Sequence, residues 1–219
     1  MTQLPLTAAL CAVLVTVGVR AQDAEKGQEH PAKTSAPLSV GSAIPADLKL
    51  KDIDGKEFAF KDQLGKIVVV HFWSITCPWE TVAEPKIQKL CADYKDKDVV
   101  FVAINANKGE IGSEPDAKAF EAKEEKDKPY QNLRKHVAGS DFNHRVLIDH
   151  SGDVARLLGA KTTPHCFVVD AKGALRYSGG LDNDGKSETV DADKQYVRVA
   201  IEALRAGKPV SQQTTKPYG

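Results

Sequence analysis

Apolar residues fall along this chain in short blocks, cut apart by Gly, Pro and charged turns, and the blocks alternate between two periods. Leu48-Lys49-Leu50 and Phe58-Ala59-Phe60 flank Asp52-Ile53-Asp54-Gly55 with strand-like alternation, the pattern of a β-hairpin. Gln63-Leu64-Gly65-Lys66 then turns the chain into Ile67–Trp73, whose first four residues are apolar without interruption. Such a run suits a strand buried on both faces. Helical spacing of Val82, Ile87, Leu90, Cys91 and Tyr94 predicts a helix from about Pro78 to Tyr94. Val99–Ile104 reads as a second buried strand, and the Lys/Glu-rich stretch Glu114–Lys135 as one solvated helix interrupted at Pro129. A short strand follows at Val146–Asp149, then a short helix at Val154–Leu158 ended by Gly159. Cys166–Asp170 and Ala174–Tyr177 pair across Ala171-Lys172-Gly173, and a last helix covers about Lys194–Ala206. Strands alternating with helices and closing on a hairpin imply an α/β three-layer sandwich. Its central mixed sheet carries helices on both faces and a β-hairpin at its N-terminal side.

One junction in this pattern carries chemistry. In His71-Phe72-Trp73-Ser74-Ile75-Thr76-Cys77-Pro78-Trp79-Glu80, a thiol stands where a buried strand ends and a helix begins. Pro78 suits a first helical position, which places Cys77 at the N-cap and Glu80 where a capping-box acid sits. Free backbone N–H groups and the positive end of the helix dipole favour a thiolate there, and the thiolate is the nucleophile. A charged Glu80 one turn away opposes that effect.

The order of elements and these residues resemble the thioredoxin-like superfamily, and within it the peroxiredoxin-like (alkyl hydroperoxide reductase/thiol-specific antioxidant) redoxins. The likeness spans about Gly41 to Pro209. It rests on the Gly65-Lys66 entry, the Phe72-Trp73-x-x-x-Cys77-Pro78 elbow, Thr163-Pro164 ahead of a strand ending in Asp170 and Gly173, and the Ala206–Val210 tail. The resemblance implies a thiol oxidoreductase whose Cys77 attacks a peroxide O–O bond or a disulfide sulfur. Ser74 would hydrogen-bond the sulfur, and Thr163 and Pro164 would shape its pocket. An external thiol reductant, or Cys166 as candidate resolving cysteine, would complete turnover. No metal or organic cofactor is implied. The chain departs from both parent patterns. Val70 replaces the peroxiredoxin motif proline, Pro164 stands at that family's arginine position, and Glu80 replaces the second cysteine of Cys-x-x-Cys. Arg145, Arg156 and Arg176 are the remaining candidates for the missing cation.

Other residues admit two readings each. Cys166 is either the resolving thiol or a small buried strand residue, since strand side chains alternate faces. Cys91, beside Ile87 and Leu90, is expected to pack in the core. Cys77, His165 and Cys166 together could present two sulfurs and an imidazole to copper. That idea belongs to the competing reading, a non-catalytic thioredoxin-fold module that binds a partner protein or copper. His71 is expected to pack or bond internally, while Trp73 and Trp79 shield the thiol or form a substrate surface.

Composition narrows the setting. The 219 residues hold 30 acids and 30 bases, so no charge excess points to nucleic acid. Leu6–Val19 is an apolar run bounded by Arg20, read as a signal peptide over residues 1–21 and too short for the ~20 residues of a bilayer span. Residues 22–40 are expected to be a flexible linker, 41–207 the redoxin domain and 208–219 a C-terminal tail. The mature protein is expected to be exported, periplasmic or extracellular, without a membrane span. Three of the four cysteines remain in it: Cys77, Cys91 and Cys166. The odd count leaves at least one thiol unbridged.

Overall fold

The computed structural model describes residues 1–2, 36–186 and 194–219; all but the first two residues of the expected signal peptide and most of the expected linker lie outside the described residues. Seven strands form one sheet in the order β2-β1-β5-β4-β3-β6-β7. They are β1 (Lys49–Asp52), β2 (Glu57–Ala59), β3 (Ile67–Phe72), β4 (Val99–Asn105), β5 (Arg145–Ile148), β6 (His165–Val169) and β7 (Leu175–Gly179). The helices are α1 (Glu80–Asp93), α2 (Lys108–Ile111), α3 (Gln131–Gly139), α4 (Asp153–Leu158) and α5 (Tyr196–Arg205). This is the expected mixed sheet: β3, β4 and β5 run parallel, β6 and β1 run against them, and the outer strands β7 and β2 run against β6 and β1 in turn.

Strand β3 lies near the middle of the sheet and is buried along its whole length, as its uninterrupted apolar run requires. Alternation sorts its side chains. Val68, Val70 and Phe72 join Phe167, Val169 and Leu175 against α4 and the hairpin residues Phe58 and Phe60. Ile67 and Val69 join Cys166, Val168 and Tyr177 against α1 and α5. Trp73 packs with Ala103, Val146 and Leu133 of α3.

Two expectations need correction. The stretch Glu114–Lys135 is not one helix: short 3-10 turns occupy Ala117–Glu121 and Glu125–Asp127, and α3 starts only at Gln131. Its Lys/Glu-rich sequence offers no apolar stripe to bury, and Lys128 is extended, as a residue before proline should be. Left-handed Tyr130 then turns the chain into α3. The second correction concerns residues 36–40 and 208–219, which pack as part of the same compact unit. Leu38 N donates to Leu157 O at 2.8 Å, and Val210 is buried in the α1–α5 core. Among the described residues no helix is long and apolar enough to cross a membrane.

Candidate active site

Beyond β3, Trp73 N still bonds across the sheet to Ile104 O at 3.0 Å, and then the chain leaves the sheet. Cys77 N donates to Ser74 O (3.2 Å) and Glu80 N to Cys77 O (3.1 Å), so two tight turns bracket the cysteine. Helix α1 begins at Glu80 with Trp79 as its N-cap, which corrects the placement of Cys77 at the cap. Pro78 and Trp79 are spent in an i to i+3 turn that tightens the helix entry. The half-buried thiol nonetheless faces the loop that was expected to meet it. Cys77 Sγ donates to Thr163 O at 2.9 Å, and the Thr163–Pro164 peptide is cis. Cys77, Thr163 and Pro164 thus come together.

Ser74 goes elsewhere. Its hydroxyl donates to Glu110 Oε1 at 2.5 Å rather than to the sulfur. Thr76 N (2.9 Å), Thr76 Oγ1 (2.6 Å) and Asn107 Nδ2 (3.1 Å) reach the same oxygen. Ile75 N (3.1 Å) and Asn105 Nδ2 (2.6 Å) reach Oε2. Burial pushes the Glu110 carboxyl up, but these donors outweigh it and hold the group below the usual carboxylate range. Glu110 is therefore the post to which the Ser74–Thr76 loop, and so the approach to Cys77, is tied. Sequence reasoning missed it. Asn107-x-x-Glu110 has cap spacing, and Asn107 does cap α2. That spacing marks a helix start and does not reveal a bond to a loop 34 to 36 positions earlier.

Glu80 occupies the second-cysteine position and is only 4% exposed. Its two oxygens lie 3.1 and 3.0 Å from His71 Nε2, on the strand beneath. Burial lowers His71 to about 3, against the opposing field of Glu84. Burial, Glu84 and Glu110 push Glu80 well up. Both shifts favour the uncharged forms of the pair. Glu84 next along α1 accepts from Trp73 Nε1 (3.0 Å) and lies 2.8 Å from His136 Nε2. Trp73 is thereby fixed behind the thiol loop.

Cys166 lies opposite His71 in the β3–β6 ladder and is fully buried. Burial and the nearby Glu80 and Asp182 push its thiol well up. Cys91 is half-buried on α1, and Cys77, Cys91 and Cys166, the cysteines among the described residues, are all free. His165 faces the other side of β6, its ring tilted against that of Phe167 with centroids 4.3 Å apart. Its ring nitrogens are taken by Lys161 N and Ser178 Oγ, each at 3.2 Å. The copper arrangement of Cys77, His165 and Cys166 does not form, and among the described residues no group of three such side chains is placed to hold a metal. The three arginines are also committed: Arg145 to Asp52, Arg156 to Asp153 and Arg176 to Asp170.

A cleft of about 330 Å³ beside the thiol loop is lined by Ser74, Asn107, Thr162 and Thr163. A larger one of about 630 Å³ opens between Ile67, Lys97, Asp170 and Arg205, at the far end of β3 from Cys77. The sulfur and the Thr163 carbonyl that accepts from it, not the larger opening, define the site.

A sequence model of the AhpC/TSA family matches residues 40–178. Thiol-disulfide oxidoreductase ResA of Halalkalibacterium halodurans is 34% identical over 147 residues, 66% of this chain and 72% of that protein. Among solved structures, a hypothetical protein of Sinorhizobium meliloti shares 26% identity at a TM-score of 0.64, over 83% of this chain and 92% of that one. An uncharacterized conserved protein of Geobacillus kaustophilus shares 25% at 0.65, over 82% and 88%.

Proposed function

Because this chain belongs to the AhpC/TSA family, we propose that it is an exported thiol-dependent oxidoreductase that reduces disulfides through the single sulfur of Cys77. The observation that carries this reading is the 2.9 Å contact of Cys77 Sγ with Thr163 O, which leaves a half-exposed nucleophile beside backbone that a substrate can pair with. The ResA likeness supports disulfide chemistry. The Leu6–Val19 run supports export.

In the reaction, the Cys77 thiolate attacks one sulfur of the substrate disulfide. A Cys77–substrate mixed disulfide forms, and the other substrate sulfur leaves as thiolate. With Glu80 where a partner cysteine would stand and Cys166 fully buried, an external thiol attacks the Cys77 sulfur of the mixed disulfide, releases the second substrate thiolate and remains on Cys77 as a mixed disulfide. A second external thiol then attacks the outer sulfur of that adduct, forming the external disulfide and releasing the Cys77 thiolate, so two thiols are oxidised for each disulfide reduced. Peroxide is the poorer substrate, because the three candidate arginines are engaged elsewhere.

Insulin reduction with glutathione as donor tests this, comparing wild type with Cys77→Ser. Wild type is expected to turn over slowly and to accumulate a glutathione adduct on Cys77 by mass spectrometry. Equal rates for the two proteins would leave the non-catalytic binding module. Faster consumption of hydrogen peroxide than of disulfide would reverse the substrate order.

A further inference from the structure

The chain after α5 returns along the sheet edge to the thiol. Ser178 N donates to Gln213 O (3.0 Å) and Thr215 N to Ser178 O (3.1 Å), so residues 213–215 add to the outer side of β7. Thr215 Oγ1 accepts from Gly180 N at 2.9 Å and shares a 2.5 Å bond with Tyr177 OH. Tyr218 lays its ring 6.2 Å from that of Trp79, two residues past Cys77, and donates to Asp182 Oδ1 at 3.1 Å. Asp182 is itself held by the buried Lys86. Gly219 then lies against Thr162 and Thr163, so close that a Cβ would stand 2.5 Å from Thr163 O. That oxygen is the one that holds Cys77 Sγ.

The bed beneath this segment is made of glycine. A Cβ on Gly179 would come within 2.8 Å of Thr215 N, and one on Gly185 within 2.7 Å of Tyr218 Cγ. On Gly180 it would meet Lys216 O at 3.2 Å. Three separate positions thus lack the side chain that would keep the segment off. The seat offers an open strand edge, an aromatic face at Trp79, a carboxylate at Asp182 and a backbone acceptor at the thiol. An extended peptide recognises such a surface by main-chain pairing plus one side-chain anchor.

We propose that residues 213–219 are an intramolecular strap seated in the track that an extended polypeptide partner uses to reach Cys77. The inference rests on the disulfide chemistry proposed above and narrows its substrate to a protein disulfide, borne on a strand-like segment with an aromatic side chain. Such a partner must first displace the strap. If the strap is open about a tenth of the time, apparent affinity falls about tenfold relative to a strapless protein.

The test uses the full chain, a variant lacking residues 213–219, and Tyr218→Ala, which keeps the strand pairing and so guards against a folding defect. Alkylation of Cys77 by a bulky maleimide, read at its own peptide by mass spectrometry, is expected to rise about tenfold in both variants. Iodoacetamide, being small, should show a much smaller gain. A synthetic peptide of residues 213–219 added to the truncated protein should restore protection. Unchanged maleimide rates in folded Tyr218→Ala, or failure of the peptide to protect, would overturn the strap. Insulin turnover is scored separately. Activity absent from all three proteins refutes the disulfide reading, whereas activity that does not rise in the variants overturns the displaced-strap mechanism.

Discussion

Replacing Glu110 should loosen the thiol loop more than any other single change outside Cys77 itself. Glu110→Ala removes the acceptor of Ser74 Oγ, Thr76 N, Thr76 Oγ1, Ile75 N, Asn105 Nδ2 and Asn107 Nδ2. Thr76 and Asn107 are exposed and water replaces their bond at little cost. Asn105 is 0% exposed and loses the acceptor of its Nδ2, and a buried donor left unmatched costs about 1–3 kcal/mol, while Ser74, 5% exposed, keeps only a longer 3.2 Å bond with Thr76 Oγ1. The expected loss is about 2–4 kcal/mol, or about 5–15 °C in Tm for a body of this size. Glu110→Gln should recover less than half, because its amide presents N–H to donors that need an acceptor. The pH dependence has a definite sign. Glu110 is held below its usual 4.5, so its contribution is complete above that value and disappears as pH falls through the folded value. The Tm gap between wild type and Glu110→Gln, measured by differential scanning calorimetry, should therefore be widest near pH 7 and close on acidification toward pH 3. No gap at pH 7, or one that persists unchanged in acid, refutes the argument.

Three further outcomes follow from the buried groups. His71 and His144 are lowered to about 3 and His165 to about 4, each by burial first, so the unfolded chain gains protons below pH 6.5 that the folded one refuses. Each ring removes about 1.4 kcal/mol of stability per pH unit in that window, while Glu80 opposes them from above its usual 4.5. Urea unfolding should lose about 2 kcal/mol between pH 6 and pH 5, and equal stability at the two values would refute it. Lys86→Met strands Asp182 in the interior and should cost about 3–5 kcal/mol, read as a lowered urea midpoint; a midpoint within error of wild type would show the pair to be dispensable. Glu80→Cys places a second thiol one tight turn from Cys77, and insulin reduction should rise about tenfold because an internal thiol outcompetes an external one. Failure to form the internal disulfide on oxidation would show that the turn cannot close.

The sequence made the frame of this site legible because its signals are local. The apolar run Ile67–Val70, the Cys77-Pro78 elbow and the turn residues around Gly55 and Gly173 each declare a backbone state within a few positions, and the strands follow. Thr163 and Pro164 came with the resemblance, and the Thr163 carbonyl meets the Cys77 sulfur. What escaped depends on distance in sequence. Glu110 meets Ser74 across 36 positions, and Glu80, which as a first-turn acid should face water, meets His71 on the strand below. The final residues are polar enough to read as a loose end. Only the glycines at 179, 180 and 185 hint at a neighbour, and what they accommodate becomes visible only with the chain folded.

The chain has two tryptophans, four residues before and two residues after Cys77. Trp73 is wholly enclosed, its indole N–H on Glu84 and its edge toward His136, while Trp79 is half open to solvent against Tyr218. All of the protein's indole fluorescence thus originates beside one sulfur, from one dry and one wet emitter with separable spectra. Label-free emission can report oxidation, adduct formation and partner arrival in real time, and replacing either ring with Phe would assign each signal to the side of the thiol from which it comes.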